Sequence, residues 1–410
     1  MGALMTLLAN VTTIPVTEAL PALNQGVDWI LVQMTGWFGN FGGFAWTMIL
    51  FTIMLKLVLF PLDYISRRSM KKNQMIQESL APQLAKLEKQ CKGDKTLYNQ
   101  KMMQMMRKEG YRLSGACLPS LITLGLFIYI FSALGNYTSY TNAVVYDNMV
   151  KEYNTIVQEY AEAHVAEDPS LVVRSTDGEG NEIVSYFMPE TTESGEGMFD
   201  EAQQKRMAQK YKQINPRWLW IKNTIRPDGF NTAIPTYSEV SSDGIGSPGI
   251  GKYIAGEGPE AKEENYNRVM GFVTVTNEDG NQTLTTRAGS IADEYNEHGF
   301  KIFGKHLNGW FLLPLLAAAV SFLSQFLTQK MQPQAPGAGG GGAMKVMMVV
   351  FPIMMLFFAI SYTSGFSLYI ITNSLTTLGG TYLINWLAGK ELKKKFEKKA
   401  LEKKRTSYSR

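Results

Sequence analysis

Val346-Met-Met-Val-Val-Phe-Pro-Ile-Met-Met-Leu-Phe-Phe-Ala-Ile360 contains neither a charged nor a polar side chain. A helix built from it is apolar on every face, whereas a core helix of a soluble domain keeps a polar side. Such a segment belongs in hydrocarbon about 30 Å thick, which a helix crosses in about 20 residues. Working outward, four more segments qualify, so the expected spans are 44–64, 115–135, 309–329, 345–362 and 366–387. The chain reads as an α-helical polytopic membrane protein with five transmembrane helices.

Lysine and arginine bias sets the orientation of such a chain. Arg67 to Arg112 carries 12 basic and 4 acidic residues, and the tail beyond Leu387 carries 10 and 3. Asn136 to Asn308 reverses this, with 15 basic and 26 acidic residues. The expected topology therefore has an extracytoplasmic N-terminal or interfacial segment (1–43), a cytoplasmic helical hairpin (65–114) and an extracytoplasmic insert (136–308). A Gly-rich cytoplasmic loop (330–344) and a basic cytoplasmic tail (388–410) complete it. Residues 1–25 lack a basic n-region, so a standard cleaved signal is not expected, and they hold no cysteine for a lipid anchor.

The hairpin is legible in its periodicity. Ile76, Leu80, Leu84 and Leu87 make one apolar stripe on a charged helix. Pro82 predicts a kink or a helix start. Gly93-Asp94 is the turn with Asp94 as N-cap, Tyr98, Met102 and Met105 share a face, and Gly110 is the stop. Its methionines (Met70, Met75, Met102, Met103, Met105 and Met106) either offer an adaptable surface to apolar clients or simply pack the two helices together.

Lys56 stands inside the apolar run Phe51-Thr-Ile-Met-Leu-Lys-Leu-Val-Leu-Phe-Pro-Leu62. A mid-bilayer ammonium costs roughly 2.5–3.5 kcal/mol, so such a residue faces a wet cavity or the bundle interior. The alternative is snorkelling to the headgroups on its four-carbon stem. Thr52 lies one turn earlier on the same face. Thr123, Gln325, Tyr369 and Asn373 are polar positions of other spans. With Lys56 they line a groove, or each forms an interhelical hydrogen bond.

Several blocks, in order, resemble the YidC family of membrane protein insertases, within the YidC/Oxa superfamily. They are Thr52 to Leu62, Ser69-Met-Lys-Lys-Asn-Gln-Met75, Leu113-Ser-Gly-Ala-Cys-Leu-Pro119, Trp218-Leu-Trp-Ile-Lys-Asn223 with Arg226-Pro-Asp228, Gln329-Lys-Met-Gln-Pro333, and Ser364-Gly-Phe-Ser-Leu-Tyr-Ile-Ile-Thr-Asn373. The resemblance implies a hydrophilic intramembrane groove with Lys56 as its cation, Thr52 as a wall and Tyr369 and Asn373 contributing from the last span; Thr123 and Gln325 are the further polar positions counted with them. The adaptable-surface reading of the hairpin puts client contact at Met102, Met105 and Met106, and the resemblance brings the basic tail toward ribosomes, with Lys393, Lys394, Lys395, Lys398 and Lys399 as the ribosome or lipid contacts. Nascent membrane proteins would be the clients, with a ribosome and a secretion translocon as further partners. A monomer in the bacterial cell membrane is expected, with the N-terminus outside and the C-terminus inside. No cofactor and no enzyme chemistry are implied. Lysine stands where the family usually has arginine, Tyr111-Arg112 replaces Asn-Pro, and Thr123-Leu-Gly replaces Gln-Met-Pro, as in a divergent member. The start of the chain, without a large domain before the first span, is similar to the Gram-positive branch.

The insert reads as a small α+β domain. Tyr146 to Ala161 predicts a helix. Leu171-Val-Val-Arg-Ser175 with Glu182-Ile-Val-Ser-Tyr-Phe187 predicts one hairpin, and Gly271-Phe-Val-Thr-Val-Thr276 with Gln282-Thr-Leu-Thr-Thr286 another. Ser238 to Gly258 predicts a loop. Two cysteines, Cys91 and Cys117, and three scattered histidines give neither a disulfide framework nor a zinc site. No nucleophile–base pair or phosphate loop is evident. Two rival readings remain: a transporter subunit that binds an anionic solute at Lys56, and a scaffold acting through the insert. The chain shows no internal repeat of the kind transporters carry.

Overall fold

The structure, a computed structural model, describes the 410-residue chain apart from residues 1–9, 17–19, 21–22, 24–25, 39–41, 92, 112–113, 177, 179, 181, 190–198, 243–248, 277–281, 298–300, 303–304, 332–340 and 409–410. In several helical stretches, among them 114–124, 341–349 and 399–408, only the backbone is described. Residues 332–340 of the expected Gly-rich loop and the turn between the second pair of predicted strands thus lie outside the described residues, while 330–331 and 341–344, also expected to be loop, are helical. Two compact units emerge. One comprises Met1–Thr47, Ala133–Leu312 and Ile360–Gly365; the other comprises Met48–Ser132, Leu313–Ala359 and Phe366–Arg410.

The second unit is all helical. It contains most of α2 (Gly43–Gln90), α3 (Lys95–Lys108), the first part of α4 (Ser114–His164), and nearly all of α9 (Leu312–Met331), α10 (Gly341–Ser361) and α11 (Ser364–Tyr408). Among the described residues, α2 is the one helix long and apolar enough to cross a membrane; Leu312–Thr328 and Val350–Ser361 are shorter apolar helices. α2 continues unbroken through Pro61 and Pro82, so Pro82 neither starts nor ends a helix. It lies on the exposed side, where water can replace the hydrogen bond that proline removes.

The end of α2 and α3 form a hairpin with its own core of Ile76, Leu80, Leu84, Leu87, Cys91, Met102 and Met106. The turn works by local chemistry. Asp94 accepts from the Thr96 and Leu97 N–H groups at 2.9 and 3.0 Å, satisfying two orphan donors of α3. Gly93 and Gly110 both take the left-handed conformation that side chains resist.

The remaining helices of this unit pack through small polar residues. Ser321 and Ser374 hydroxyls lie 3.1 Å apart, and the Ser324 hydroxyl donates to the Ser374 carbonyl at 3.2 Å, joining α9 to α11. Phe131 of α4 meets Phe358 of α10 and Phe366 of α11 edge-on, at 5.9 and 5.2 Å.

The first unit is built around the second half of α4. The helix expected from Tyr146 to Ala161 is part of this single helix of 51 residues. No proline interrupts it after Pro119, and backbone hydrogen bonding does not register the change from an apolar to an amphipathic sequence. Met149, Val150, Tyr153, Ile156 and Val157 are its buried face. Packed on that face are α5 (Glu201–Ile214), α6 (Tyr237–Ser241), α7 (Pro259–Met270) and α8 (Ile291–Glu297). α1 (Val27–Phe38) precedes α2. The α6 helix and a 3-10 turn at Gly251–Tyr253 occupy part of the stretch expected to be loop. Its short helix is held by Glu239, which accepts from the Thr236 N–H.

β2 (Val172–Thr176) pairs antiparallel with β3 (Glu182–Pro189), Val172 opposite Tyr186. β4 (Phe272–Thr276) pairs with β5 (Gln282–Thr286), Phe272 opposite Thr286. A third strand, β1 (Asn10–Thr12), adds to β3 with Val11 opposite Met188, giving the order β1-β3-β2. A two-residue ladder, β6 (Lys301–Ile302) with β7 (Lys305–His306), follows α8. The N-terminal segment is thereby stitched to the insert. Asn154 of α4 completes the seam, accepting from the Ile14 N–H at 2.8 Å and donating to its carbonyl at 2.7 Å.

α4 and α5 are tied by charge. Arg206 bridges Glu152 and Glu159 at 2.6 Å each, and Lys210 reaches Glu152 at 3.2 Å. Burial pushes the Glu152 carboxyl up, but hydrogen bonds from Arg206 and Lys210 outweigh it and hold it below the ordinary glutamate value. Its stabilising contribution is therefore complete above pH 4.5, the unperturbed value, and is lost as pH falls through the lower folded value. Glu152→Gln should lower the unfolding free energy by about 1 kcal/mol at neutral pH. In urea melts followed by tryptophan fluorescence, the gap from wild type should close on acidification below pH 4.5.

Candidate functional site

The second unit has its polarity reversed relative to a soluble domain. Leu57 and Val58 on α2 are 68% and 75% exposed, and Leu50 and Met54 share that outer face. Leu315, Leu316, Phe322 and Leu323 do the same on α9, Ile353 and Phe357 on α10, and Leu375, Leu383 and Trp386 on α11. The buried side holds Thr52, Ser321, Ser324, Thr372, Ser374 and Thr381. A soluble monomer does not display apolar stripes on helix after helix. A helical unit bathed in hydrocarbon does, and it gathers its hydroxyls inside.

The residues expected to line a groove fall into this unit as follows. Thr52 is fully buried, its hydroxyl donating to the Met48 carbonyl at 2.6 Å. Lys56, one turn on, is half-buried and makes no ion pair among the described residues; the charges acting on it most are Asp63 and Arg67 of its own helix. Tyr369 is buried, while Gln325 and Asn373 are half-buried beside the Ser324–Ser374 contact. The Thr123 side chain lies outside the described residues.

On the hairpin, Met102 and Met106 are 4% and 1% exposed in the seam and Met105 packs against it. The geometry uses these methionines to hold the two helices together. In the tail, Lys394 and Lys398 are exposed on α11, and the side chains of Lys393, Lys395 and Lys399 lie outside the described residues.

Periodicity did not reveal a second site, built in the first unit from Arg217 to Asn231. Asn308, fully buried, is its anchor. Its amide donates to the carbonyls of Asn223 (2.8 Å) and Pro227 (2.9 Å), and its Oδ1 accepts from the Asn223 N–H (2.9 Å). Asn223 in turn donates to the Ala233 carbonyl at 2.9 Å. Asp228 accepts from the Trp220 indole at 3.1 Å and from the Phe311 N–H at 2.9 Å. Arg226 pairs with Glu239 at 2.8 Å, and its carbonyl accepts from both the N–H and the hydroxyl of Ser364. One irregular loop is thus tied to the residues that lead into α9 and to the first residue of α11. The only signal in the sequence was the resemblance of its Trp-Leu-Trp-Ile-Lys-Asn and Arg-Pro-Asp blocks to a family loop.

Four tryptophans run across this region: Trp46 meets Trp218 edge-on at 6.0 Å, Trp218 lies 6.5 Å from Trp220, and Trp220 stacks on Trp310 at 5.8 Å. Gly42 makes the first contact possible, since a side chain there would press into Trp218. A cleft of about 820 Å³ opens beside the first three, lined by Trp46, Trp218 and Trp220 with Lys212, Arg217, Lys222 and Tyr295. Burial pulls the Lys222 ammonium below its ordinary value and pushes the Tyr295 phenol up to about 12.

Exposed apolar stripes around a hydroxyl-lined interior define a helical membrane protein. Comparison with known proteins gives the family. The family model described as 60Kd inner membrane protein matches residues 35–169 and 266–391, well over half of the chain. The chain belongs to this family, the YidC/Oxa family. The loop just described lies in the stretch between the two matched segments. Among curated relatives, the membrane protein insertase YidC of Polynucleobacter necessarius subsp. necessarius (strain STIR1) is 37% identical over 115 residues, 28% of this chain and 19% of that protein. The same-named proteins of Polynucleobacter asymbioticus and Cupriavidus metallidurans are 36% and 35% identical over 115 residues, again 28% of this chain and 19% and 20% of theirs. The chain thus spans about a fifth of the length of the curated relatives it matches.

Asp228 leaves no room beside Gly309, where any side chain would collide with its carboxylate. Asp228→Ala should leave the Trp220 indole and the Phe311 N–H without their acceptor and cost about 1–3 kcal/mol. The expected readout is earlier thermal unfolding with faster proteolytic cutting between Arg217 and Asn231; unchanged proteolysis would show that the loop does not depend on this carboxylate.

Proposed function

We propose that this chain is a membrane protein insertase and assembly factor, acting on nascent membrane proteins in the bacterial cell membrane. Supporting this are membership in the 60Kd inner membrane protein family and relatives named as insertases. The observation that carries it is Lys56, a cation without an ion-pair partner among the described residues, in an apolar helix whose inner face carries the buried hydroxyl of Thr52.

In this reading the five spans place the hairpin and basic tail in the cytoplasm and the insert outside. Lys56, Thr52, Thr123, Gln325, Tyr369 and Asn373 contribute to a polar groove. The groove attracts acidic groups of a client's translocating segment and lowers the cost of desolvating them. The client's apolar segment then leaves along the exposed apolar helices into lipid. Burial of that segment drives the process, so no nucleotide hydrolysis is required. The exposed Lys394 and Lys398, with the other tail lysines, attract ribosomal RNA or anionic headgroups. Client contact at Met102, Met105 and Met106 requires the hairpin to part, because the seam occupies the first and last of them. The protein acts as a monomer, alone or beside a secretion translocon.

The test is rescue of cells depleted of their own insertase, scoring insertion of a single-span client with an acidic outer tail by protease accessibility. Wild type and Lys56→Arg should restore insertion and Lys56→Met should not. Rescue by all three would remove Lys56 from the mechanism and leave it a snorkelling residue. Failure of every well-expressed form would overturn the insertase reading for this client class.

A further inference from the structure

The insert is acidic as a whole, yet from Ala202 to Pro227 it carries seven basic residues and no acidic one. Three of the seven are neutralised within the fold: Arg206 and Lys210 by Glu152 and Glu159, and Arg226 by Glu239. Lys212 and Arg217 have no ion-pair partner among the described residues, and both line the tryptophan cleft, with Lys222 beside them donating to the Tyr295 carbonyl at 3.1 Å. The two acids at the cleft differ in availability: Asp293 accepts from the Gly289 N–H, while Glu294 is open. The wall is net positive on a domain that is otherwise net negative.

The apolar side of the cleft is equally unusual for a water-facing surface. Leu219, between Trp218 and Trp220, adopts a left-handed backbone conformation, which a leucine resists, and in it turns its side chain outward with 71% exposure. Trp310, stacked on Trp220, is exposed, and Phe230, also exposed, stacks on Phe311 at 5.0 Å. Tryptophans with one apolar face and one polar edge, beside unpaired cations, match the chemistry of the membrane–water boundary. The cleft volume lies in the range of small-ligand sites.

We propose that this cleft is a binding site for the headgroup of an anionic phospholipid. Lys212 and Arg217, with Lys222, hold the phosphate; Arg217 offers the planar fork that suits it. Trp218 and Trp220 lie along the glycerol, and Leu219 enters the acyl layer. Charge complementarity and the outward leucine together favour a lipid over a free anion, which would have no use for the leucine. The proposal rests on the membrane reading above.

The test uses the full chain in lipid nanodiscs containing phosphatidylglycerol or phosphatidylcholine brominated high on the acyl chain, with tryptophan quenching as the readout. Wild type should be quenched more by the brominated phosphatidylglycerol. That excess should vanish in Lys212→Gln/Arg217→Gln, and also in Trp218→Phe/Trp220→Phe, which keeps the aromatic packing. Equal quenching by the two lipids, or an excess that survives in both variants, overturns the site while leaving the membrane reading intact. Loss of the excess on adding inorganic phosphate or an acidic peptide reassigns the cleft to a free anion or a polypeptide and overturns it as well. Absence of quenching by either lipid overturns the site and the membrane reading together.

Discussion

In hydrocarbon there is no water to satisfy a polar group, so each one must find its partner inside the protein. Several hydroxyls of the helical unit meet this constraint by bonding to one another or back to helix carbonyls, as Thr52 does to Met48 and Ser324 to Ser374. Leu57, Val58, Phe322, Leu323, Ile353 and Phe357 face out from helices of the same unit. Small hydroxyl residues also let helices approach closely, so the same choice serves packing and polarity. Lys56 is the exception that gives the unit a chemical character, since a charge held among such helices acts over a longer range than it would in water.

The first unit follows ordinary rules of water-soluble packing. Tyr153, Val157 and their neighbours on α4 gather the smaller helices around one apolar core. Ion pairs such as Arg206 with Glu152 lie at its surface, where each contributes modestly. What distinguishes the unit is the Arg217–Asn231 loop, an irregular stretch whose polar groups are taken up by Asn308, Asp228 and Ser364. Asn308, Asp228 and Ser364 thereby hold in place a stretch of chain that has no regular secondary structure of its own.

Much of the fold was legible in local pattern. The stripe Ile76, Leu80, Leu84, Leu87 and the Gly93-Asp94 turn describe the hairpin because capping and i to i+4 contacts are properties of adjacent residues. The strand pairs Val172–Thr176 with Glu182–Tyr186 and Phe272–Thr276 with Gln282–Thr286 were legible because β-branched residues flank short turn-forming stretches. Where the reading failed, the missing information was non-local. Pro82 starts no helix, because the helix that precedes it runs on through an exposed position where water can replace the lost hydrogen bond. The strand Asn10–Thr12 is invisible in its own three residues, since it exists only against Phe187–Pro189.

By itself the sequence determined that this chain has apolar helices, segregated charge, a cation at Lys56 and the motifs of the YidC family, because hydropathy, charge count and residue order need no partner to be read. Tertiary structure alone decided that Met102 and Met106 close a hairpin seam, that Asn308 organises a loop about eighty residues away, and that three tryptophans share one cleft with Lys212 and Arg217, which have no ion-pair partner among the described residues. Those facts depend on contacts between residues distant in the chain, and contact, unlike composition, comes into being only when the chain folds.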